Sequence, residues 1–210
     1  MTKKLKLNLM LSLFSGLLVA VNLLGGKITT IVGVSVSVGI FMVPLTFLIT
    51  DIAQEVYGKK VAGQFVTTGV ITLIITFFYV LFFIKLPPNE RYALNNEYAA
   101  IFGSSLRMII ASLVAFVLSG YHDVWAFEFW KRKTQGKKLW LRNNFSTIVS
   151  QGIDTFVFMM IAFYKIAPKF DFLFIIKLII PYYIFKIVFA LLDTPFVYLG
   201  VKWLKSGSDE

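Results

Sequence analysis

The stretch that decides the fold is residues 61–84, VAGQFVTTGVITLIITFFYVLFFI, which runs for 24 residues without a charged side chain. An α-helix needs about 20 mostly apolar residues to cross the hydrocarbon layer of a bilayer. The stretch is long enough for one complete crossing and contains no proline. It therefore predicts a transmembrane helix.

The composition of the whole chain extends this prediction. Hydrophobic residues make up 58% of the 210 residues, 22 of them are phenylalanines, and the mean hydropathy is +0.77. A water-soluble fold of this size could not bury so much apolar surface, because small folds are mostly surface. Lipid as the solvent explains the composition, and the length allows about six crossings. We expect an all-α, polytopic membrane helical bundle that forms a single integral membrane domain over residues 1–210.

Five further apolar segments predict the other crossings. The first follows Lys3, Lys4 and Lys6, lacks an Ala-x-Ala type cleavage site, and is expected to remain as a helix. Proline lies within two of the segments, at Pro44 in one and at Pro181 and Pro195 in another. The predicted helices, besides 61–84, cover about 7–26, 39–58, 104–129, 143–165 and 172–203.

Two short segments between crossings have other patterns. From residue 28 to residue 38 β-branched residues alternate with polar ones, and Gly33 offers a turn, which predicts a short extracellular β-hairpin. Such a hairpin must lie outside lipid, because lipid does not tolerate open sheet edges. After the break at Pro87 and Pro88, residues 90–102 predict an amphipathic helix at the membrane surface.

The charges indicate the orientation. Of the 21 Lys and Arg residues, 13 fall at the two termini and in two loops on one predicted side, and five fall on the other. Basic residues favour the cytoplasmic side, so both termini are expected in the cytoplasm. The lipid bilayer is the expected partner, with no direct contact to nucleic acid, because no helical face combines these charges with aromatics. One loop holds six of them: Lys131, Arg132, Lys133, Lys137, Lys138 and Arg142.

Enzyme chemistry lacks its usual parts. The chain has no cysteine and a single histidine, His122, which excludes disulfides, thiolate metal sites and histidine metal clusters. It contains no His-Glu-x-x-His, Gly-x-Ser-x-Gly or Gly-x-Gly-Asp motif. We therefore expect no enzyme activity, no catalytic residues, no metal and no cofactor. There is also no Gly-x-x-x-x-Gly-Lys, so ATP hydrolysis would require a separate ATPase module.

Polar residues inside the predicted spans are the candidates for function, because a charged residue there costs about 2.5–3.5 kcal/mol. In the second span Asp51 and Glu55 are spaced i, i+4 and share a face, with Thr50 and Gln54 beside them. The alternative is that the two acids lie near the headgroups and pair with the lysines at 59 and 60.

The fifth span carries the longest polar stripe. Its members are Asn143, Thr147, Ser150 and Asp154, which are spaced by 4, 3 and 4 residues. Gln151 lies beside this stripe. A stripe of this kind cannot face lipid, so it lines either a helix contact or an aqueous cavity. A carboxylate near mid-span needs a cation, a proton or a ligand donor, which makes Asp154 the strongest candidate.

The fourth and sixth spans add further polar groups. The fourth carries Ser112, Ser119, His122, Asp123, Trp125 and Glu128, with Arg107 expected to extend toward the membrane surface. Asp123 either pairs with the basic loop or faces a ligand. Lys186 and Asp193 share one face of the sixth span and could each be the counter-charge of a group on another helix.

Several motifs in order carry a family resemblance. They are Pro44-Leu45-Thr46-Phe47 with Thr50-Asp51, Glu55-Val56-Tyr57-Gly58-Lys59-Lys60, Phe102-Gly103-Ser104, the stretch 110–123, Leu139-Trp140-Leu141-Arg142-Asn143-Asn144, and Ser146-Thr147 with Ser150-Gln151 and Asp154. From about Asn22 to Asp193 the chain resembles the queuosine precursor transporter family, part of the vitamin uptake transporter group. One departure is Gly120, which stands where a glutamine is expected.

The resemblance implies a bacterial inner-membrane importer of 7-deazaguanines: 7-cyano-7-deazaguanine, 7-aminomethyl-7-deazaguanine or queuine. A carboxylate can accept from N1–H and the exocyclic amine of such a base, amides suit its other edge, and aromatic rings suit its faces. The hypothesis gives Asp154 or Glu55 the first role, Asn143, Asn144 or Gln151 the second, and Trp125 or Trp140 the third. The full set of candidate substrate-binding residues is Asp51, Glu55, Asp123, Trp125, Asn143, Asn144, Ser150, Gln151 and Asp154.

Two alternatives stay open beside this reading. One is a substrate-binding S-component that depends on a separate ATPase module. The other is a membrane scaffold or sensor without transport, which predicts a buried polar network that encloses no cavity. The oligomeric state follows from neither the pattern nor the resemblance.

Overall fold

The computed structural model is a helical bundle and describes residues 1–25, 27–31, 34–165, 168 and 171–207. Within these described residues, six helices are long and apolar enough to span a membrane, which confirms the predicted multi-pass architecture. In chain order the elements are α1 Lys3–Leu24, β1 Ile28–Ile31, β2 Val34–Ser37, a 3₁₀ helix Val38–Phe41, α2 Val43–Tyr57, α3 Lys59–Phe83, α4 Asn95–Lys133, α5 Leu139–Phe163, α6 Phe172–Leu192 and α7 Thr194–Lys205.

The helix ends follow from local chemistry. Thr2 caps α1 by accepting a hydrogen bond from the backbone N–H of Leu5, and Asp171 caps α6 by accepting one from Phe174. Gly58 joins α2 to α3 with a φ of 83°, in the left-handed region that favours glycine. This glycine turn lets α3 follow α2 with a single residue between the two helices.

The hairpin prediction is confirmed, while its turn at Gly33 lies outside the described residues. Strands β1 and β2 are antiparallel, with Ile28 opposite Ser37 and Ile31 opposite Val34. The hairpin joins α1 to the 3₁₀ helix, so it marks one end of the bundle, here called the hairpin end. The opposite end carries the N-terminus and the loop between α4 and α5, and we call it the basic end.

Three predicted boundaries are wrong. The surface helix predicted over residues 90–102 is not a separate element, because residues 95–102 form the first turns of α4 and no breaker separates them from the span that follows. The last span ends at Leu192, and α7 begins at Thr194 with Pro195 in its first turn, where the missing proline N–H costs no hydrogen bond. Pro44 likewise lies in the first turn of α2 and not inside it, while Pro181 is inside α6.

Apolar side chains cover the outside as well as the core. On α3 one face with helical spacing is about half exposed and entirely apolar: Ile71, Ile75, Phe78 and Phe82. Inside, Phe14 is fully buried and meets Phe65 edge to face at a centroid distance of 5.5 Å. Contact with lipid accounts for the apolar outer face, and helix packing accounts for the apolar core. Neither accounts for the polar side chains at the centre of the bundle.

Candidate functional site

A cavity lies between the helices, on the hairpin side of the bundle centre. It has a volume of about 100 Å³, several times what one water molecule occupies. All six spans contribute to its wall, whereas the sequence pointed to helices 2, 4 and 5. Its polar lining residues are Asn22, Thr46, Ser112, Asp154 and Lys186, and its aromatic lining residues are Phe47, Phe116, Phe158 and Tyr182.

An ion pair lines the deep part of this cavity. The Nζ atom of Lys186 donates to Oδ2 of Asp154 at 2.6 Å, and the two side chains are 3% and 16% exposed. The hydroxyl of Ser119 donates to Oδ1 of Asp154 at 3.4 Å. The ammonium group also lies 5.2 Å from the ring centroid of Tyr182. Asp154 therefore has a cation, as a buried carboxylate requires, and keeps lone pairs for a ligand.

Asp154 lies deep along the helix that carries it. It is nine residues from the end of α5 at Phe163, or about 14 Å at 1.5 Å per residue. Since the hydrocarbon layer is about 30 Å thick, this places the carboxylate close to mid-membrane. The cavity therefore connects the hairpin end with the centre of the bundle.

A second polar cluster lies farther toward the basic end. The carboxyl groups of Asp51 on α2 and Asp123 on α4 are within hydrogen-bonding reach of each other. Thr147 donates to Oδ2 of Asp51 at 3.1 Å, and it precedes Asp154 by seven residues, or about 10 Å along α5. Both aspartates are almost completely buried, at 1% and 2% exposed. We call Asp51 and Asp123 the acid pair.

Several buried polar atoms near the acid pair lack a hydrogen-bond partner among the residues that the structure describes. This is rare in folded proteins, where buried polar groups are nearly always satisfied. A ligand, a proton or water must therefore complete the cluster. The atoms are Oδ1 of Asp51, Oε1 of Gln54, both oxygens of Asp123, both amide atoms of Asn143, Oε1 of Gln151 and Oδ1 of Asp193.

Other predicted site residues lie away from the cavity. Glu55 forms an ion pair with Lys131 at 3.5 Å, near the basic end, and so its basic partner lies in the last turn of α4 and is neither Lys59 nor Lys60. Trp125 and Trp140 are 54% and 50% exposed on the outside of the bundle, where neither can stack on a ligand in the cavity. Helical spacing alone could not separate these outward faces from the inward ones.

Two of the remaining candidates hold helices together. Asn144 donates to Oγ1 of Thr194 at 3.1 Å, which ties α5 to the start of α7. The hydroxyl of Ser150 is 3.0 Å from Nδ1 of His122 on α4. Arg107 donates to the carbonyl groups of Ile161 and Tyr164 at the end of α5, and its extension toward the membrane surface stays a prediction. A cation in that position complements the helix C-terminus.

The aromatic wall of the cavity could not be predicted from the sequence pattern. Phe47, Phe116, Phe158 and Tyr182 sit in spans that are rich in aromatics on every face, so nothing in the pattern distinguished them. Lys186 was recognised as a counter-charge, but its partner on another helix could not be identified. In the structure α5 and α6 lie side by side, and this contact makes Asp154 the partner of Lys186.

Comparison with known proteins identifies the family. A family model described as "Putative vitamin uptake transporter" matches residues 37–200. The chain is 32% identical over 187 residues to the "Probable queuosine precursor transporter" of Bacillus subtilis (strain 168), an alignment that covers 89% of this chain and 80% of that protein. No solved structure matches the chain. With its six spanning helices and buried polar cavity, the chain belongs to the vitamin uptake transporter family.

Proposed function

We propose that this protein imports 7-deazaguanine precursors of queuosine across the bacterial inner membrane. The observation that carries the proposal is the cavity lined by Asp154 and Lys186, because it combines aromatic and aliphatic walls with a buried acceptor and a buried donor. The relative from Bacillus subtilis, whose name specifies a queuosine precursor transporter, supplies the class of cargo. 7-Cyano-7-deazaguanine, 7-aminomethyl-7-deazaguanine and queuine are the candidate cargoes.

The chemistry of a deazaguanine complements this cavity. In the proposed pose, Asp154 accepts from N1–H and the exocyclic amine, using lone pairs that Lys186 and Ser119 leave open. The ammonium of Lys186 can donate to the adjacent carbonyl oxygen of the base. Phe47, Phe116 and Phe158 provide apolar faces for stacking. In this pose Asp154 keeps its predicted role. Phenylalanines take the role of stacking on the base, which the hypothesis from the sequence gave to Trp125 or Trp140.

The charge of the basic end supports an orientation for the protein. We place this end and both termini in the cytoplasm, since it carries most of the Lys and Arg residues outside the spans. The hairpin end then faces the periplasm, and the cavity lies on the periplasmic half of the path to Asp154. A reporter protein that is active only in the cytoplasm is expected to be active when it is fused to either terminus.

The cavity also argues against a scaffold without transport, because a scaffold of that kind predicts a buried polar network that encloses no cavity.

Uptake provides the test of function. A bacterium unable to make queuosine precursors is supplied with each deazaguanine at low concentration, with and without this protein, and queuosine-modified tRNA is measured. We expect protein-dependent restoration by at least one of the three. No restoration by any of them would refute the proposed cargo class.

A further inference from the structure

The acid pair is separate from the proposed cargo site. It lies about 10 Å from Asp154 along α5, toward the basic end, and neither Asp51 nor Asp123 lines the cavity that Asp154 lines. Gln54 lies one turn beyond Asp51 and donates to the carbonyl of Val124 at 2.9 Å, which locks α2 against α4 at this level. The proximity of the two aspartates is therefore built into the packing of their helices.

The surroundings of the pair contain no free cation among the residues described. The charges that act on Asp51 come from Asp123 and Asp193, and both are acidic. In the described part of the chain, every lysine that the neighbouring helices direct inward is already engaged. Lys186 binds Asp154, Lys131 binds Glu55, and Lys6 binds the carbonyl of Trp203 and the hydroxyl of Ser206; Lys59, Lys60, Lys202 and Lys205 are exposed at the basic end.

Two adjacent buried carboxylates without a cation cannot both be ionised, because repulsion and lost hydration together would cost too much. One proton bound between them removes this problem. It also provides a donor for Oδ1 of Asp51 or for an oxygen of Asp123, which otherwise have no partner within the described part of the chain. The neutral Thr147 hydroxyl already satisfies the other oxygen of Asp51. The geometry thus suits a single shared proton.

Other polar side chains connect the acid pair with the outside of this cluster. The hydroxyls of Ser146 and Ser150 lie beside Asp123, and the hydroxyl of Ser150 is 3.0 Å from Nδ1 of His122. His122 is half-buried and so has access to the outside of this cluster. Asn143, completely buried with both amide atoms unpartnered among the described residues, lies beside Asp193 and marks further unfilled polar space. The pair is therefore not isolated from other polar groups.

We propose that the acid pair is a proton-binding site that couples the entry of cargo to the entry of one proton. This rests on the proposed import of deazaguanines and adds its energy source. The proton binds from the periplasmic side, forming an O–H bond on one aspartate that bridges to the other. When the protein opens toward the basic end, that O–H bond breaks and the proton passes to cytoplasmic water. The pair then has one negative charge more and must rebind a proton before the next cycle.

The test uses the full chain in proteoliposomes with radiolabelled 7-cyano-7-deazaguanine, an uncharged cargo. With an acidic exterior, a pH difference of one unit coupled to one proton supports roughly tenfold accumulation. We expect Asp51→Asn and Asp123→Asn to reduce this to equilibration, while exchange of cargo between preloaded vesicles and medium stays within about threefold of wild type. The control is Glu128→Gln, on the same helix as Asp123 but engaged by Arg132 at the surface, and it should accumulate normally.

Three results would overturn the coupling proposal: accumulation by both asparagine variants, accumulation driven by sodium and not by pH, or loss of exchange together with accumulation. If either variant fails to fold, the wild type still decides the question. Cargo entry without an imposed gradient must acidify the vesicle lumen, as reported by a trapped pH-sensitive dye, and entry without acidification would refute coupling. Absence of any exchange by the wild type would instead contradict the proposed function, and with it the coupling.

Discussion

Replacing Lys186 by methionine is the most informative perturbation of the cavity. Methionine keeps much of the length and the apolar stem of lysine but removes the ammonium group that binds Oδ2 of Asp154. Among the described residues, only the hydroxyl of Ser119 would then remain as a donor to that carboxylate, at 3.4 Å. The change therefore leaves a carboxylate without its cation near the centre of the membrane.

The expected loss of stability in Lys186→Met follows from the geometry of the ion pair. At 2.6 Å and an effective dielectric constant of about 20, the Coulomb attraction is about 6 kcal/mol before the cost of desolvation is subtracted. Removing one partner of a buried ion pair costs about 3 to 5 kcal/mol, because the other charge stays buried. Removing both charges avoids that cost. We expect Lys186→Met with Asp154→Leu to recover at least half of the stability lost by Lys186→Met alone.

Thermal unfolding in detergent, followed by tryptophan fluorescence, measures these differences across the wild type, the two single variants and the double variant. The account predicts that the losses of the single variants do not add. Cargo uptake should stay low in all three variants, because the double variant restores packing but not the acceptor. Additive losses would show that the two charges do not interact, and would refute the ion pair as the base of the cavity.

Three further predictions concern residues that the structure places outside the cavity. Glu55→Gln should leave uptake within about twofold of wild type, because Glu55 pairs with Lys131 near the basic end, and a tenfold loss would contradict this. Trp125→Leu should leave cargo affinity unchanged in a binding assay, because the ring lies on the outside, and weaker binding would return Trp125 to the site. Asn144→Ala should lower stability by about 1 to 3 kcal/mol through the lost bond to Thr194, measured by thermal unfolding, without changing affinity; an affinity loss without destabilisation would refute that role.

Some of the fold could be predicted because it depends on local properties. The run at 61–84 has no charge and no breaker, and it became α3 with bounds shifted by at most two residues. The alternation after residue 28 produced the hairpin, because a period of two has few other solutions. The break at Asp193 was missed because a proline within an apolar run can kink a helix or start a new one, and tertiary packing decides between them.

The candidate site was predicted less completely, since it depends on contacts between distant segments. The stripe on α5 correctly placed Asn143, Thr147, Ser150 and Asp154 inside the bundle, because a polar stripe cannot face lipid. The partner of Asp154 lies 32 residues away on α6, and no local pattern connects them. Trp125 was misplaced for a related reason, since aromatic rings lie both in the core and against lipid in this chain.

The central claim is that the cavity binds a deazaguanine through Asp154. Equilibrium binding of each deazaguanine to the purified protein, compared between wild type, Asp154→Asn and Glu55→Gln, tests it most directly. A hydrogen bond to a charged acceptor contributes about 1.5 to 3 kcal/mol, so Asp154→Asn should weaken binding by roughly 10- to 150-fold, while Glu55→Gln should bind like the wild type. Equal affinity of the wild type and Asp154→Asn, or no saturable binding of any deazaguanine, would contradict the account.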